Sequence, residues 1–124
     1  MPDQDTTVAE LRELVRQFVA QREWEQFHAP KNLSMSLAIE AAELMEHFQW
    51  IDAEASRQVS DDPSKLAAIR DEIADVMCYA LALANALDID LAQAVQDKMV
   101  KNAAKYPAKQ SRGRYDPPPA SESD

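Results

Sequence analysis

The chain has 124 residues and a formal net charge of -9, and 46% of its residues are hydrophobic while 6% are aromatic. This length fits a single domain, and the abundance of Ala, Leu, Val and Met favours helices. A single glycine excludes the glycine-rich phosphate loop of P-loop and Rossmann proteins, and the negative charge argues against a nucleic-acid partner.

The chain begins with an acidic segment, residues 1–5, where a secretory signal would be basic. It contains no run of about 18 apolar residues, the length needed to span a bilayer. We therefore expect a cytoplasmic protein without a membrane partner.

The first predicted helix covers residues 7–26. Thr7 and Glu10 have the spacing of a capping box, and an apolar stripe that includes Val15 and Phe18 follows them. Pro30 ends this pattern, because proline disfavours helix in the residue before it.

A second helix is predicted to open near Asn32 or Ser34 and to end around residues 50–52. Its apolar residues recur at helical spacing from Leu37 onward. A polar loop is expected from there to Ser60.

The third helix is the longest and is predicted over residues 63–87. Asp62 and Pro63 mark its start, with an acidic cap and a proline at the first helical position. Cys78 is the only cysteine, which excludes an intrachain disulfide and a cysteine-based zinc site. It lies in an apolar helical stretch, so we expect it to be buried.

The fourth helix is predicted over residues 91–105, capped by Asp90 and ended by Pro107. Residues 1–107 would then form one helical domain, and residues 108–124, rich in proline and polar side chains, a flexible tail. The expected fold is all-α, a four-helix bundle.

The second and third helices each carry two carboxylates three residues apart: Glu40 and Glu43, then Glu72 and Asp75. At about 100° per residue, each pair lies at the edge of the apolar stripe of its helix. If the two stripes pack together, the four acids converge.

Four clustered acids repel one another and need a compensating cation. Oxygen ligands favour Mg²⁺, or Mn²⁺ as a substitute, over zinc or copper. A di-iron site is disfavoured, because His47 follows Glu43 by four residues without an equivalent on the third helix, and His47 is interpreted as a surface residue. Spacing alone leaves a second interpretation open, a solvated acidic face.

Several segments form a pattern in their order and spacing. They are EWEQFH at 23–28, NL at 32–33, EAAEL at 40–44, FQW at 48–50, DEIADV at 71–76 with Tyr79, KM at 98–99, Asn102, and KYP at 105–107. In this pattern, over about residues 11–113, the chain resembles the MazG-type all-α nucleotide pyrophosphohydrolases, most closely their dCTP pyrophosphatase branch.

The resemblance implies a hydrolase that cleaves a nucleoside triphosphate between its α- and β-phosphates, in house-cleaning of the nucleotide pool. It assigns Mg²⁺ to Glu40, Glu43, Glu72 and Asp75. No protein nucleophile is needed, and we expect Glu40 or Glu43 to assist deprotonation of the attacking water.

The resemblance also places phosphate or sugar contacts at Lys98 and Asn102, one turn apart on the fourth helix. Further phosphate contacts are expected at Lys105, Tyr106 and Arg112. An ordinary polar helix face is the alternative interpretation of these residues.

Trp24, Trp50 and Tyr79 match family positions that line a base pocket, where an aromatic face can stack on a pyrimidine. His28 matches a histidine near that pocket. Core packing is the competing use of the three aromatic residues, and helix capping is the competing use of His28.

Val15 departs from the dCTP branch, in which a histidine stands at this position of the first helix. Because valine cannot donate a hydrogen bond, the pocket is expected either to be more permissive or to prefer a modified cytosine. The resemblance implies dCTP or a modified dCTP as the substrate. An enzyme of the same fold that acts on dUTP or another damaged nucleotide is the alternative.

Wide apolar stripes in so short a chain predict that surface remains for another subunit. The resemblance implies a homo-oligomer, a tetramer built as a dimer of dimers. A non-enzymatic helical module that binds a protein partner is the rival from another class, and its acidic faces would serve solubility.

Overall fold

The structure is a computed structural model, and it describes residues 1–115. Within this range the α-helices are α1 Val8–Gln21, α2 Pro30–Glu46, α3 Ala53–Ser56, α4 Pro63–Leu87, α5 Leu91–Lys105 and α6 Ala108–Ser111. Short 3-10 turns occur at Asp3–Asp5, Glu25–Phe27 and Val59–Asp61, and residues 1–115 contain no strand. The all-α prediction is confirmed.

α1 begins at the predicted capping box. The Glu10 backbone N–H donates to Thr7 Oγ1 at 3.1 Å, and the Thr7 N–H donates to Glu10 Oε2 at 2.8 Å. The helix ends at Gln21, before the predicted end at residue 26, because Glu23 takes the left-handed conformation at φ 54° and turns the chain. The predicted end was wrong, since no glycine marks this turn.

α2 begins at Pro30 and not at Asn32 or Ser34, as predicted. The missing N–H of proline costs nothing at the first helical position, where it would have no intrahelical acceptor. The helix ends at Glu46, and turns continue the chain to Trp50.

The polar loop predicted to follow α2 contains the short helix α3. Asp52 Oδ1 caps it by accepting a hydrogen bond from the Ala55 N–H at 2.8 Å. A helix of four residues is too short to show apolar periodicity, so the sequence predicted only a polar loop here and missed α3.

α4 and α5 have the predicted bounds. Asp62 Oδ1 accepts a hydrogen bond from the Ser64 N–H at 3.1 Å, and Asp90 Oδ1 accepts one from the Gln93 N–H at 2.9 Å. α4 ends where Asp88 adopts φ 53°. Side-chain caps that can be read from the sequence therefore define the start of both helices.

The chain divides into two compact units, Met1–Ile89 and a second unit that begins at Asp90. The first contains α1 to α4, and the second contains α5 and α6. α6 shows that the segment predicted as a tail begins with one helical turn; the rest of it, residues 116–124, lies outside the described residues. The predicted domain boundary at residue 107 stays a prediction.

None of the helices described over residues 1–115 combines the length and the apolar character needed to cross a membrane.

α4 is the centre of the first unit, because both α2 and α1 pack against it. The buried apolar side chains of the described chain come from α2 and α4: Leu33, Ile69, Leu81, Ala82 and Ala84. This packing fixes α2 beside α4 and thereby sets the distance between the acids that the two helices carry.

Cys78 is exposed, so the prediction that it is buried was wrong. It follows the buried Ile69 by nine residues, which places it about 180° around the helix from that core side chain. It follows Asp75 by three residues and shares the face of that carboxylate.

A reciprocal side-chain link joins α1 to the end of α4. Arg12 Nε donates to Asn85 Oδ1 at 2.9 Å, and Asn85 Nδ2 donates to the Arg12 carbonyl oxygen at 3.0 Å. Arg12 Nη2 also donates to the Ala84 carbonyl oxygen at 3.3 Å. Because these groups are partly buried, the link fixes the position of α1 along α4.

We predict that Asn85→Ala lowers the free energy of unfolding by about 1–3 kcal/mol, because Arg12 loses a partly buried acceptor. Urea denaturation followed by circular dichroism measures this loss. The control is Gln96→Ala, since the Gln96 amide donates within its own helix, to Ala92. Equal stability of the two variants would contradict the prediction.

Candidate active site

The packing of α2 against α4 brings carboxylates from both helices together. Glu40, Glu43 and Glu72 each place one carboxylate oxygen within 4.8 Å of the others, and all three residues are half-buried. We call these three residues the acid cluster. Oxygen ligands at such mutual distances suit one hard divalent cation.

Asp75, the fourth predicted ligand, lies outside the acid cluster and is exposed. It follows Glu72 by one turn of α4, and its charge still acts on Glu40. Asp75 therefore lies at the edge of the cluster.

The acid cluster is electrostatically strained. Burial raises the pKa of Glu40 to about 7, and contact with the Glu43 carboxyl and the charges of Asp75 and Glu72 act in the same direction. Oε2 of Glu40 and Oε2 of Glu72 are buried without a hydrogen-bond partner. Buried acceptors without donors, surrounded by like charge, are costly. The cluster thus differs from a solvated acidic face, and its residues fit a divalent cation.

His47 lies next to the acid cluster, although the sequence was interpreted as placing it at the surface. Its Nε2 atom is 3.9 Å from Glu72 Oε1, and its side chain is 27% exposed. The surface interpretation was wrong, because the turn that follows α2 returns this side chain towards α4. The spacing of four residues from Glu43 is a sequence signal that could have indicated this position.

A cavity of about 380 Å³ lies beside Asp75, between α1 and α4. Its lining is mostly apolar and aromatic: Leu14, Val15, Phe18, Val19, Trp24, His28, Asp75, Cys78, Tyr79 and Ala82. We call it the aromatic cavity. Its volume is at the small end of the range of ligand sites, about 300–1,000 Å³, and its rings can stack on a planar heterocycle.

The turn after α1 sets the orientation of Trp24. The left-handed Glu23 lets the Trp24 N–H donate back to the Val19 carbonyl oxygen at 3.1 Å. The indole then meets the Phe18 ring edge to face, with centroids 5.7 Å apart, and the Arg22 guanidinium lies 3.7 Å from the same ring. These contacts hold the aromatic wall of the cavity in place.

The predicted base-pocket residues do not all lie in one place. Trp24, His28 and Tyr79 line the aromatic cavity, whereas Trp50 is 86% exposed and is not part of its lining. Cys78 lines the cavity too, and sequence reasoning missed it by assigning it to the core.

A second hollow of about 300 Å³ adjoins the aromatic cavity. The two share Val15, Val19, His28 and Ala82, and the second hollow is also lined by polar side chains, including Asn85. Small side chains at Val15 and Ala82 therefore stand where the two spaces meet.

The predicted phosphate-binding residues belong to the second unit. Lys98 and Asn102 lie on α5, where the half-buried Asn102 donates to Met99 Sδ at 3.8 Å. Lys105 ends α5 and places Nζ 5.4 Å from the ring centroid of Tyr106, and Arg112 is the C-cap of α6. Their assignment to substrate stays a prediction.

The chain is similar to known proteins over most of its length. Residues 35–115 match the MazG-like family. Over 110 residues, 88% of this chain, it is 44% identical to dCTP pyrophosphatase 1 of Rattus norvegicus, and over 109 residues, 87% of this chain, it is 42% identical to dCTP pyrophosphatase 1 of Homo sapiens. The crystal structure of a pyrophosphatase from Archaeoglobus fulgidus DSM 4304 matches with a TM-score of 0.73 and 37% identity, covering 86% of this chain and 98% of that one.

The chain spans 64% of the length of each of these two curated relatives. The matched family region extends from α2 through α6 and includes all four acids predicted to bind metal. The resemblance stated from the sequence is confirmed, and the chain belongs to the MazG-like family.

Proposed function

We propose that this chain is a Mg²⁺-dependent nucleoside triphosphate pyrophosphohydrolase. It converts dCTP, or a modified dCTP, and water into the nucleoside monophosphate and diphosphate, as house-cleaning of a cytoplasmic nucleotide pool. The observation that carries the proposal is the position of Asp75, which adjoins the acid cluster and also lines the aromatic cavity. A base in that cavity has its phosphates near the acids.

The names of the relatives support this reaction class. The curated relatives, at 42% and 44% identity, are called dCTP pyrophosphatase 1, and the structural neighbour from Archaeoglobus fulgidus is called a pyrophosphatase. Each of these names describes an enzyme that cleaves a phosphoanhydride bond.

Carboxylates and a triphosphate repel each other, so a cation is needed between them. Glu40, Glu43 and Glu72 would hold that cation, with Asp75 as a further ligand at the edge. When bound, Mg²⁺ neutralises phosphate charge, polarises the α-phosphorus and makes water easier to deprotonate. Mn²⁺ prefers the same oxygen ligands and is the expected substitute.

The protein contributes the base for the attacking water. Glu40 or Glu43 accepts the water proton while the water oxygen bonds to the α-phosphorus. The bond from that phosphorus to the bridging oxygen breaks, and diphosphate leaves with the oxygen. In the metal-free protein, burial raises the pKa of Glu40 to about 7.

The aromatic cavity binds the base. Trp24 and Tyr79 supply faces for stacking, and His28 supplies a polar contact. Val15 offers no hydrogen bond, and it also lines the second hollow. This space favours a cytosine with an added substituent; dUTP and other damaged nucleotides are the alternative substrates.

Phosphate or sugar contacts are proposed for five further residues on the basis of the family resemblance. Lys98, Lys105 and Arg112 carry positive charge, and Asn102 and Tyr106 can donate hydrogen bonds to phosphate or sugar oxygens.

We infer a homo-oligomer, a tetramer built as a dimer of dimers. Large apolar side chains of α2 and α4 are more than half exposed in the single chain: Met35 53%, Ile39 57%, Met45 56% and Ile73 54%. Trp50 adds a further exposed ring. A second copy of the chain would cover this apolar surface and bring Trp50 towards a base site.

The rival function, a non-enzymatic helical binding module, does not explain why the acid cluster is half-buried. Its acids would face water to aid solubility, whereas the acid cluster is half-buried and holds carboxylate oxygens without partners. A costly cluster of this kind is typical of a site that binds a cation.

We predict that the protein releases diphosphate and the monophosphate from dCTP or a 5-substituted dCTP, and that Mg²⁺ is required. A panel of dCTP, 5-substituted dCTP, dUTP, dTTP, dATP, dGTP and the ribonucleotides, with Mg²⁺ or EDTA, gives kcat/KM for each. Release of orthophosphate in place of diphosphate, or no turnover of any nucleotide, would sink the proposal.

We predict that Glu43→Gln lowers kcat by about a hundredfold or more, because the acid cluster loses a carboxylate that is proposed to bind the cation and to accept the water proton. Glu46→Gln is the matched control, since Glu46 lies one turn further along α2, is exposed and is not part of the cluster. Unchanged circular dichroism in both variants shows that the loss is chemical. Equal activity of Glu43→Gln and Glu46→Gln would contradict the assignment.

We predict that the stability of the metal-free protein falls as pH rises from 4.5 to about 7. The unfolded chain loses the Glu40 proton near the ordinary glutamate pKa of 4.5, whereas the folded chain keeps it until its pKa of about 7. Thermal unfolding in EDTA, compared with Glu40→Gln, isolates this contribution.

Mg²⁺ should raise the melting temperature more at about pH 8 than at about pH 5, since it binds the carboxylate form. An equal rise in melting temperature with Mg²⁺ at both pH values would contradict the prediction.

We predict that sedimentation velocity at micromolar protein concentration shows an oligomer and that Ile39→Glu shifts it towards monomer. The charge would enter the apolar surface of α2 that a second copy covers. Glu46→Gln, on the same helix, should leave the distribution unchanged. A stable wild-type monomer would contradict the inference.

A further inference from the structure

His47 is held at the end of α2 by its backbone. Its N–H donates to the carbonyl oxygens of Leu44 and Met45 as the helix C-cap. The imidazole lies near α4, where Nε2 is 3.9 Å from Glu72 Oε1 and the Glu72 side chain is 22% exposed. The backbone bonds fix the main chain from which this side chain extends.

His47 is distinctive among the basic side chains of the first unit. Over residues 1–89, it is the one whose side-chain nitrogen comes within 4.0 Å of Glu40, Glu43, Glu72 or Asp75. The remaining ion pairs of this unit are exposed pairs of Arg16 with Glu13 and of Arg57 with Glu54.

Glu72 needs a group that fixes its carboxylate. Its Oε2 atom is buried and has no hydrogen-bond partner. Without a donor, the carboxylate can rotate and present either oxygen to a cation, which weakens binding. Groups that hydrogen-bond a metal ligand from outside the coordination sphere commonly fix its orientation and tune its affinity.

His47 is not placed as a ligand itself. The nitrogen atoms of His47 do not belong to the set of ligand atoms within 4.8 Å of one another, which comprises Glu40, Glu43 and Glu72. The distance of 3.9 Å between His47 Nε2 and Glu72 Oε1 is longer than a hydrogen bond, so the carboxylate has to rotate towards Nε2 before a hydrogen bond forms.

We propose that His47 is a positioning residue for the metal site: it donates from Nε2 to Glu72 Oε1 and so directs the other carboxylate oxygen to the cation. This inference rests on the proposed function and deepens it. The imidazole acts as a hydrogen-bond donor to Glu72, so it changes metal affinity without taking part in proton transfer.

The test is direct binding of Mn²⁺ to the nucleotide-free protein, monitored by electron paramagnetic resonance at one fixed pH. The variants are His47→Leu, which removes the donor, and His47→Gln, which keeps an N–H donor. Glu72→Gln removes the ligand and Glu46→Gln is the exposed control. Thermal melts of each variant confirm that it folds.

We expect His47→Leu to weaken Mn²⁺ binding by about 10- to 100-fold. His47→Gln should recover most of this loss, and Glu46→Gln should bind as wild type. With Mn²⁺ saturating, His47→Leu should leave the KM for the nucleotide nearly unchanged, since the residue acts through Glu72.

Two results would overturn the inference alone: wild-type affinity in His47→Leu, or equal weakening in His47→Leu and His47→Gln. Absence of Mn²⁺ binding to the wild-type protein would overturn the proposed function and the inference with it. The two failures are thus distinguishable in one titration series.

Discussion

The first unit depends on one electrostatic constraint: three carboxylates from two helices are held within 4.8 Å of one another. Like charges at this distance repel strongly once they leave water, so the packing of α2 on α4 must resist them. Leu33 on α2 and Ile69 on α4 supply buried contacts for that purpose. The raised pKa of Glu40 shows how the unliganded protein relieves part of the repulsion, by keeping a proton.

α4 carries residues of both the acid cluster and the aromatic cavity. Glu72 belongs to the acid cluster, Asp75 lies at its edge, and Tyr79 lines the aromatic cavity one turn later. These residues follow one another at helical spacing on a helix whose backbone is continuous from Pro63 to Leu87. A continuous helix therefore sets the distance between the acid cluster and the α4 side of the aromatic cavity.

Much of this was readable from the sequence, and the failures share a physical cause. Caps at Asp62 and Asp90 predicted α4 and α5 correctly because capping is local, and helical phase brought Glu40, Glu43 and Glu72 together. The end of α1 was missed because Glu23, not a glycine, takes the left-handed conformation. The positions of His47 and Cys78 depend on which helix face meets which neighbour, and periodicity in a single helix cannot determine that.

Part of the lining of the aromatic cavity comes from a helix that carries none of the acid cluster. Val15 and Phe18 belong to α1, whereas the acid cluster belongs to α2 and α4. Substitutions on α1 can therefore reshape the cavity without displacing any acid of the cluster. Such a separation allows the proposed base pocket to diverge in sequence while the acids are preserved, and Val15 is a position where such divergence can occur.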